Sequence, residues 1–246
     1  MTHVIESVYP RTCPVCDEII TPRGQLICKE CLGKLNFVKS PVCEKCGKQV
    51  MTFSQKICGD CTKKTRSFEK GCSLLNYCDL SRDLMVKIKY HNSRQDIELY
   101  ARLGAMRIRQ EFRRGENVGG TSAFAPIKFD YIVPVPVHKS RRRVRGYNQA
   151  ELLAVGIGEE LGVPVGKDFL IRKKKTLAQK DLGPEMREMN LRGAFEVGPI
   201  PQDVGRILLI DDIYTTGATA EVCTKVLKGA GVREVYVFCI CSGSEI

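Results

Sequence analysis

The chain has 246 residues, enough for one sizeable α/β core and a small accessory module. With 43% hydrophobic and 27% charged residues its composition is that of a globular protein, and no apolar run approaches the roughly 18 residues that span a bilayer, so no membrane insertion is expected. The first ten residues lack a basic-then-apolar leader, which predicts a cytoplasmic location. The formal net charge of +11 suits polyanionic ligands, and the chain stays basic even with two four-thiolate zinc sites at about −2 each.

Thirteen cysteines are an odd number for a disulfide framework, and their spacing points elsewhere. Cys13, Cys16, Cys28 and Cys31 form C-x2-C-x11-C-x2-C, and Cys43, Cys46, Cys58 and Cys61 repeat it 30 residues later. A two-residue gap lets both thiolates of a knuckle reach one tetrahedral ion, and the longer arm brings the second knuckle opposite. Closed four-cysteine sites leave no open coordination position, so the expected role is structural zinc at two sites. Consecutive ribbons are the preferred ligation; a cross-braced pairing of Cys13, Cys16, Cys43 and Cys46 satisfies the same spacing. Cys72 and Cys78 fall outside the repeat and are expected to be packed thiols.

Residues 62 to 70 are polar and basic and read as the linker. Gly71 to Tyr77 then predicts a strand, and Leu80, Leu84, Met85 and Ile88 recur at helical spacing. A second helix is predicted over Asp96 to Phe112. Residues 114 to 126 hold three glycines and read as a surface loop.

Tyr131 to Val135 is the next predicted strand, followed by a stretch in which five of the seven residues from Lys139 to Arg145 are basic. At the carboxyl end of a strand, guanidinium forks such as Arg141, Arg142 and Arg145 suit an anion. A helix is predicted from about Tyr147 to Leu161. His138 alone reads as a surface residue. Leu170 to Phe195 is polar, with Arg172, Gln179, Arg187 and Asn190, and has the composition of a lid over a charged site.

Residues 207 to 219 carry the chemistry. Ile207 to Ile210 suits a strand buried on both faces; Asp211 and Asp212 follow, then Thr215, Thr216, Gly217, Ala218 and Thr219, then a helix to Gly231. Backbone N–H groups and hydroxyls at a helix N-terminus favour a phosphate, and two acceptor-only carboxylates match vicinal hydroxyls. A phosphate just beyond a diol describes a ribose 5-phosphate. No Gly-Lys-Thr or Gly-Lys-Ser follows the glycine, which excludes a nucleoside-triphosphate P-loop. Glu234 to Cys241 is predicted as a strand beside Ile207 to Ile210.

These thirteen residues resemble the phosphoribosyl-pyrophosphate (PRPP) motif of type I phosphoribosyltransferases. Together with the twin cysteine pairs, Lys87 to Tyr90, Arg145-Gly146-Tyr147-Asn148-Gln149, and the spaced Arg172, Thr176, Gln179, Arg187, Asn190 and Phe195, they resemble the ComF family over nearly the whole chain. The resemblance implies an α/β fold of the type I phosphoribosyltransferase kind, a parallel sheet flanked by helices with a hood, plus the zinc-ribbon module. The expected division is 1–64 for the ribbons and 65–246 for the phosphoribosyltransferase domain, with hood elements about 71–125 and core about 128–246.

The expected chemistry is transfer at C1 of the PRPP ribose. Asp211 and Asp212 hold the ribose hydroxyls directly or through Mg²⁺, Thr215 to Thr219 grip the 5-phosphate, and basic residues among Arg141 to Arg145 receive the pyrophosphate. The family further implies handling of single-stranded DNA in natural transformation beside a helicase partner. Purine-salvage relatives place an acid at the first loop position; Thr215 stands there in this chain, which speaks against a purine acceptor activated in that way. A protein that binds nucleic acid, or an adaptor, keeping the PRPP site as sensor or scaffold, fits the same residues.

Overall fold

A computed structural model describes residues 10–22, 24–90, 95–118, 121–174, 191 and 193–243. Its centre is a four-stranded sheet made of β1 (Gly71–Asn76), β4 (Tyr131–Pro134), β7 (Arg206–Tyr214) and β8 (Glu234–Ser242), in the order β1-β8-β7-β4. All three pairings are parallel, with Leu209 opposite Val133 on one side and Val237 on the other. Parallel strands need crossovers that cover both faces, and the burial pattern of β7 shows the result. Leu208 and Ile210 join one core with Ile132, Phe238 and Ile240; Ile207 and Leu209 join the other with Val133, Val235 and Val237.

Helices α4 (Asp96–Glu111) and α6 (Gln149–Leu161) bury Tyr100, Ala101, Ile108, Leu153 and Ile157 in the first core. Helix α7 (Ala218–Gly229) buries Cys223 and Leu227 in the second. This is the sheet-and-helix layout expected from the sequence. Among the described residues no helix is long and apolar enough to cross a membrane.

The zinc ribbons are built into these cores. The first ribbon, with the short helix α1 (Lys29–Lys34), contributes Cys13, Ile20, Ile27, Cys31 and Leu35 to the first core. The second, with α2 (Gly59–Lys63), contributes Cys43, Cys46, Val50 and Cys58 to the other. The two ribbons therefore straddle the β1 edge. Between them the chain runs along that edge, with Val38 N donating to Leu74 O at 3.0 Å and Asn76 N to Asn36 O at 2.8 Å, so the strand's open side is covered. Gly47 permits the approach. Its φ is +73°, and a Cβ there would stand 2.5 Å from Gly71 O.

Three expectations change. Residues 62 to 70 are not a loose linker: Phe68 is fully buried, Arg66 is 7% exposed, and Glu69 N donates to Val235 O at 2.8 Å. Residues 113 to 126 are not a loop: β2 (Arg113–Val118) pairs antiparallel with β3 (Thr121–Pro126), Val118 facing Thr121. Gly119-Gly120 between two short runs is the signal for a two-residue hairpin connection, and counting glycines alone obscured it. Finally, Gly71–Asn76, expected among the hood elements, is a strand of the main sheet.

Candidate functional site

The carboxyl ends of β4 and β7 open into a cleft of about 800 Å³. Sheets of this kind bind ligands at that end. Asp211, Asp212, Thr215 and Thr219 line one wall, and Ser140, Arg141, Val144, Arg145 and Arg172 reach it from the other side. Strand β7 continues to Tyr214, so both acids belong to the strand rather than the loop, and Gly217, with φ +76°, caps α7. Ala218 and Thr219 are thus the first residues of the helix, where N–H groups have no intrahelical partner. Thr216 Oγ1 is buried with no hydrogen-bond partner among the described residues, and Thr216, Gly217 and Ala218 stand behind the cleft lining rather than in it.

Two adjacent carboxylates, both only partly exposed, cannot both ionise without compensation. The compensation is Lys89, at the end of α3 (Asp79–Tyr90), whose Nζ stands 2.5 Å from Asp212 Oδ2. Burial works against the charge of Asp212, but the Lys89 ammonium outweighs it and holds the carboxyl below its usual range. Burial and the neighbouring Asp212 push Asp211 well above that range. Asp211 Oδ1 also accepts from Asp212 N at 2.9 Å.

The basic stretch forms helix α5 (Lys139–Arg145), capped by His138, whose Nδ1 accepts from Ser140 N at 3.2 Å. His138 is therefore a cap. Arg141 and Arg145, four residues apart, share the helix face that lines the cleft. Arg142 does not line it; its Nη2 lies 3.4 Å from Glu151 of α6, so its assignment to the anion is corrected. The segment from Arg145 to Gln149 is the joint that assembles the cleft. Gly146 ends α5 in the left-handed region, Tyr147 hydroxyl donates to Ile88 O and so fixes the end of α3, and Asn148 caps α6 while its Nδ2 donates to Val135 O at 3.1 Å.

Sequence reasoning assigned no site role to Lys89, Tyr90 or Tyr77, and placed Arg172 only in the lid-like segment. Tyr90 and Tyr77 rim the cleft, and the Arg145 guanidinium sits 5.0 Å over the Tyr90 ring while donating to its hydroxyl at 3.1 Å. Arg172 ends β5 (Leu170–Arg172), which pairs antiparallel with β6 (Phe195–Val197), and stacks 5.1 Å over Phe195. Burial and the Arg141 charge lower its pKa. The expected lid residues Gln179, Arg187 and Asn190 lie outside the described residues.

The eight cysteines gather as Cys13, Cys16, Cys28 and Cys31 and as Cys43, Cys46, Cys58 and Cys61, each set with its sulfurs within 4.8 Å of one another. Tetrahedral thiolates about 2.3 Å from zinc stand about 3.8 Å apart, so both sets fit the ion, and the ligation is consecutive rather than cross-braced. Asp211 and Asp212 fit Mg²⁺ in another way: two carboxylates suffice for an ion that takes its remaining oxygens from phosphates and water.

Residues 4–64 match the double zinc ribbon domain family. Competence protein F of Haemophilus influenzae is 36% identical over 109 residues, 44% of this chain and 48% of the relative. The DNA utilization protein YhgH of Escherichia coli is 31% identical over 112 residues, 46% and 49% of the two chains. This chain thus spans about half the length of those two relatives. Competence protein ComFC of Bacillus subtilis aligns more fully, 23% identical over 212 residues, 83% of this chain and 79% of the relative. Among solved structures, the glutamine PRPP amidotransferase of B. subtilis complexed with ADP and GMP is similar at a TM-score of 0.38 and 19% identity, covering 63% of this chain and 30% of that one.

The fold and cleft define an α/β protein, a parallel four-stranded sheet flanked by helices, whose first segment matches a double zinc ribbon. The chain is similar to competence proteins F and ComFC, and its first segment matches the double zinc ribbon family.

Two outcomes follow from this geometry. Cys28→Ser is expected to lose one of two zinc ions per chain by metal analysis, since the sites share no ligand; loss of both, or of neither, would contradict the ligation. Lys89→Met, which strands the Asp212 charge, is expected to cost about 3 kcal/mol in urea unfolding at pH 7, and adding Asp212→Asn to recover much of it. Additive losses would show that the two groups do not compensate each other.

Proposed function

We propose that the chain is a cytoplasmic PRPP-binding phosphoribosyltransferase that acts in the uptake or handling of single-stranded DNA. The observation that carries the reading is the convergence of Asp211, Asp212, Thr215 and Thr219 with Arg141, Arg145 and Arg172 on one cleft. A ribose 5-phosphate has its phosphate at the Gly217 cap and the first turn of α7, and its hydroxyls at the two acids. The pyrophosphate then falls to Arg141 and Arg145, with Arg172 facing Arg141 across the cleft. These cations stabilise the charge that develops on the departing group as the C1–oxygen bond breaks. Mg²⁺, when bound, adds Lewis-acid stabilisation of the same pyrophosphate oxygens.

The anionic pair also favours a cationic ribose centre. Lys89 keeps Asp212 ionised beside that centre. We place the module boundary at 64/65.

DNA handling is supported by the names of the relatives and by one surface. Val144 is 82% and Tyr90 62% exposed, set among the arginines of α5, which is the aromatic, apolar and basic mixture that stacks bases and tracks a phosphate backbone. The same surface favours a second reading, a nucleic-acid-binding protein or adaptor in which PRPP is a sensed ligand rather than a substrate. A helicase of the competence machinery is the partner that either reading admits.

Calorimetric titration of PRPP with Mg²⁺ into the zinc-loaded protein tests the proposal. Asp211→Asn with Asp212→Asn is expected to lower affinity about 100-fold or more, because two charge-assisted interactions are lost, while single-stranded DNA affinity stays within about twofold. Unchanged PRPP affinity would remove the two acids from the site. In the wild type, ribose hydroxyls and metal favour the ionised form of Asp211, whose pKa burial and the neighbouring Asp212 raise. Binding therefore expels a proton, and affinity rises as pH rises above the ordinary carboxylate range.

A further inference from the structure

The loop that follows Asp212 is held from behind by the second zinc ribbon. Arg66, 7% exposed, donates from Nη2 to Thr216 O at 2.6 Å and reaches Asp60 O at 3.4 Å. Asp60 lies between the ligands Cys58 and Cys61, and its carboxylate takes Lys48 Nζ at 2.5 Å. Lys48 Nζ in turn stands 5.6 Å over the ring of Tyr214, which packs edge-on against Phe68 at 6.3 Å. On the far side of the loop, Ser67 donates through N and Oγ to Glu221 at 2.8 and 2.6 Å. The residue before the loop, a carbonyl within it and the first turn after it are therefore all fastened to residues 48 to 68.

The Thr216 carbonyl is the telling contact. In a planar trans peptide the N–H points opposite the C=O, so tying Thr216 O to Arg66 aims the Gly217 N–H away from the ribbon. The Tyr214 ring fills the space beneath Gly217, where a Cβ would run into its hydroxyl, so the backbone there has one place to go. A nest of amides for a phosphate has to be preformed, because ordering it on binding would weaken the affinity.

We propose that Arg66 is a positioning residue through which the zinc site of Cys43, Cys46, Cys58 and Cys61 sets the phosphate loop, so that zinc in that site and a phosphate ligand in the loop stabilise one another. The first zinc site has no such contact with the loop among the described residues. The ligand half rests on the PRPP reading; the dependence of the loop on the ribbon does not. Coupling of this kind is reciprocal, and its usual size is about 5- to 150-fold.

The test is amide hydrogen exchange of peptides spanning residues 211–221 in the full zinc-loaded chain. Arg66→Met is expected to speed exchange at residues 215–219 about tenfold or more with both zinc ions retained, and Cys61→Ser to do the same. Cys16→Ser, in the other ribbon, should leave those amides within about twofold. Arg66→Lys keeps the charge but loses the planar guanidinium whose Nη2 reaches both Asp60 O and Thr216 O, so it decides the matter if Arg66→Met does not fold; it is expected to speed exchange at 215–219 by less than Arg66→Met, and by more than twofold. Exchange within twofold of the wild type in every folded Arg66 variant overturns the proposal, as does an equal response to Cys16→Ser.

The reciprocal measurement is the rate at which a chelator removes zinc. PRPP with Mg²⁺ is expected to slow release of one ion about fivefold or more in the wild type and not in Arg66→Met. If PRPP binds and zinc release is unaffected in the wild type, the coupling is wrong. If PRPP does not bind but exchange at 215–219 answers to Arg66 and Cys61, the coupling stands and the PRPP reading falls.

Discussion

A carboxylate taken partly out of water needs a cation, and two in succession need one more urgently. Asp211 and Asp212 end a strand that is buried on both faces, and Lys89, 2.5 Å from Asp212, is what lets them remain there. That contact depends on much of the chain. Tyr147 fixes the carbonyl of Ile88, and Lys87, two residues before Lys89, binds Asp17 of the first ribbon at 2.7 Å and Pro14 O at 3.0 Å. The arginines of α5 are aimed by the same joint. A cleft with acids on one wall and guanidinium groups on the other is the outcome, and the proposed ligand, a diol at its centre with a phosphate at each end, is matched to those two walls.

The ribbons belong to this arrangement rather than hanging beside it. Each contributes its cysteines and a few apolar residues to a different core, and between them the chain covers the β1 edge. Segments with so few large apolar side chains have little hydrophobic stabilisation of their own, and metal binding supplies the difference. The first ribbon reaches the acids through α3, and the second reaches the phosphate loop through Arg66. Two metal sites thus sit behind the two halves of one cleft.

The parts legible in the sequence are those whose meaning is local. Residues 207 to 219 carry strand, acids, glycine and helix start in one stretch, and the cysteine pairs announce two four-cysteine sites by spacing, leaving to the structure which pairs share an ion. What stayed hidden depends on tertiary placement. Lys89 looks like any basic residue in the last turn of a helix until the joint at Tyr147 swings it over Asp212. Residues 62 to 70 look like a linker because Arg66 and Ser67 are polar, yet their partners, Thr216 and Glu221, lie some 150 residues away in sequence. Within the basic stretch, composition could not separate Arg141 and Arg145 from Arg142; the helical phase of α5 does so.

The central claim, that the turn from β7 into α7 is a cradle for the 5-phosphate of PRPP, is tested most directly by phosphorus NMR of PRPP titrated with the zinc-loaded protein and Mg²⁺. The account predicts that the 5-phosphate resonance shifts or broadens together with those of the pyrophosphate, since both ends of the ligand are held. A pyrophosphate that responds while the 5-phosphate stays at its free position would leave the arginines as a general anion site and contradict the cradle.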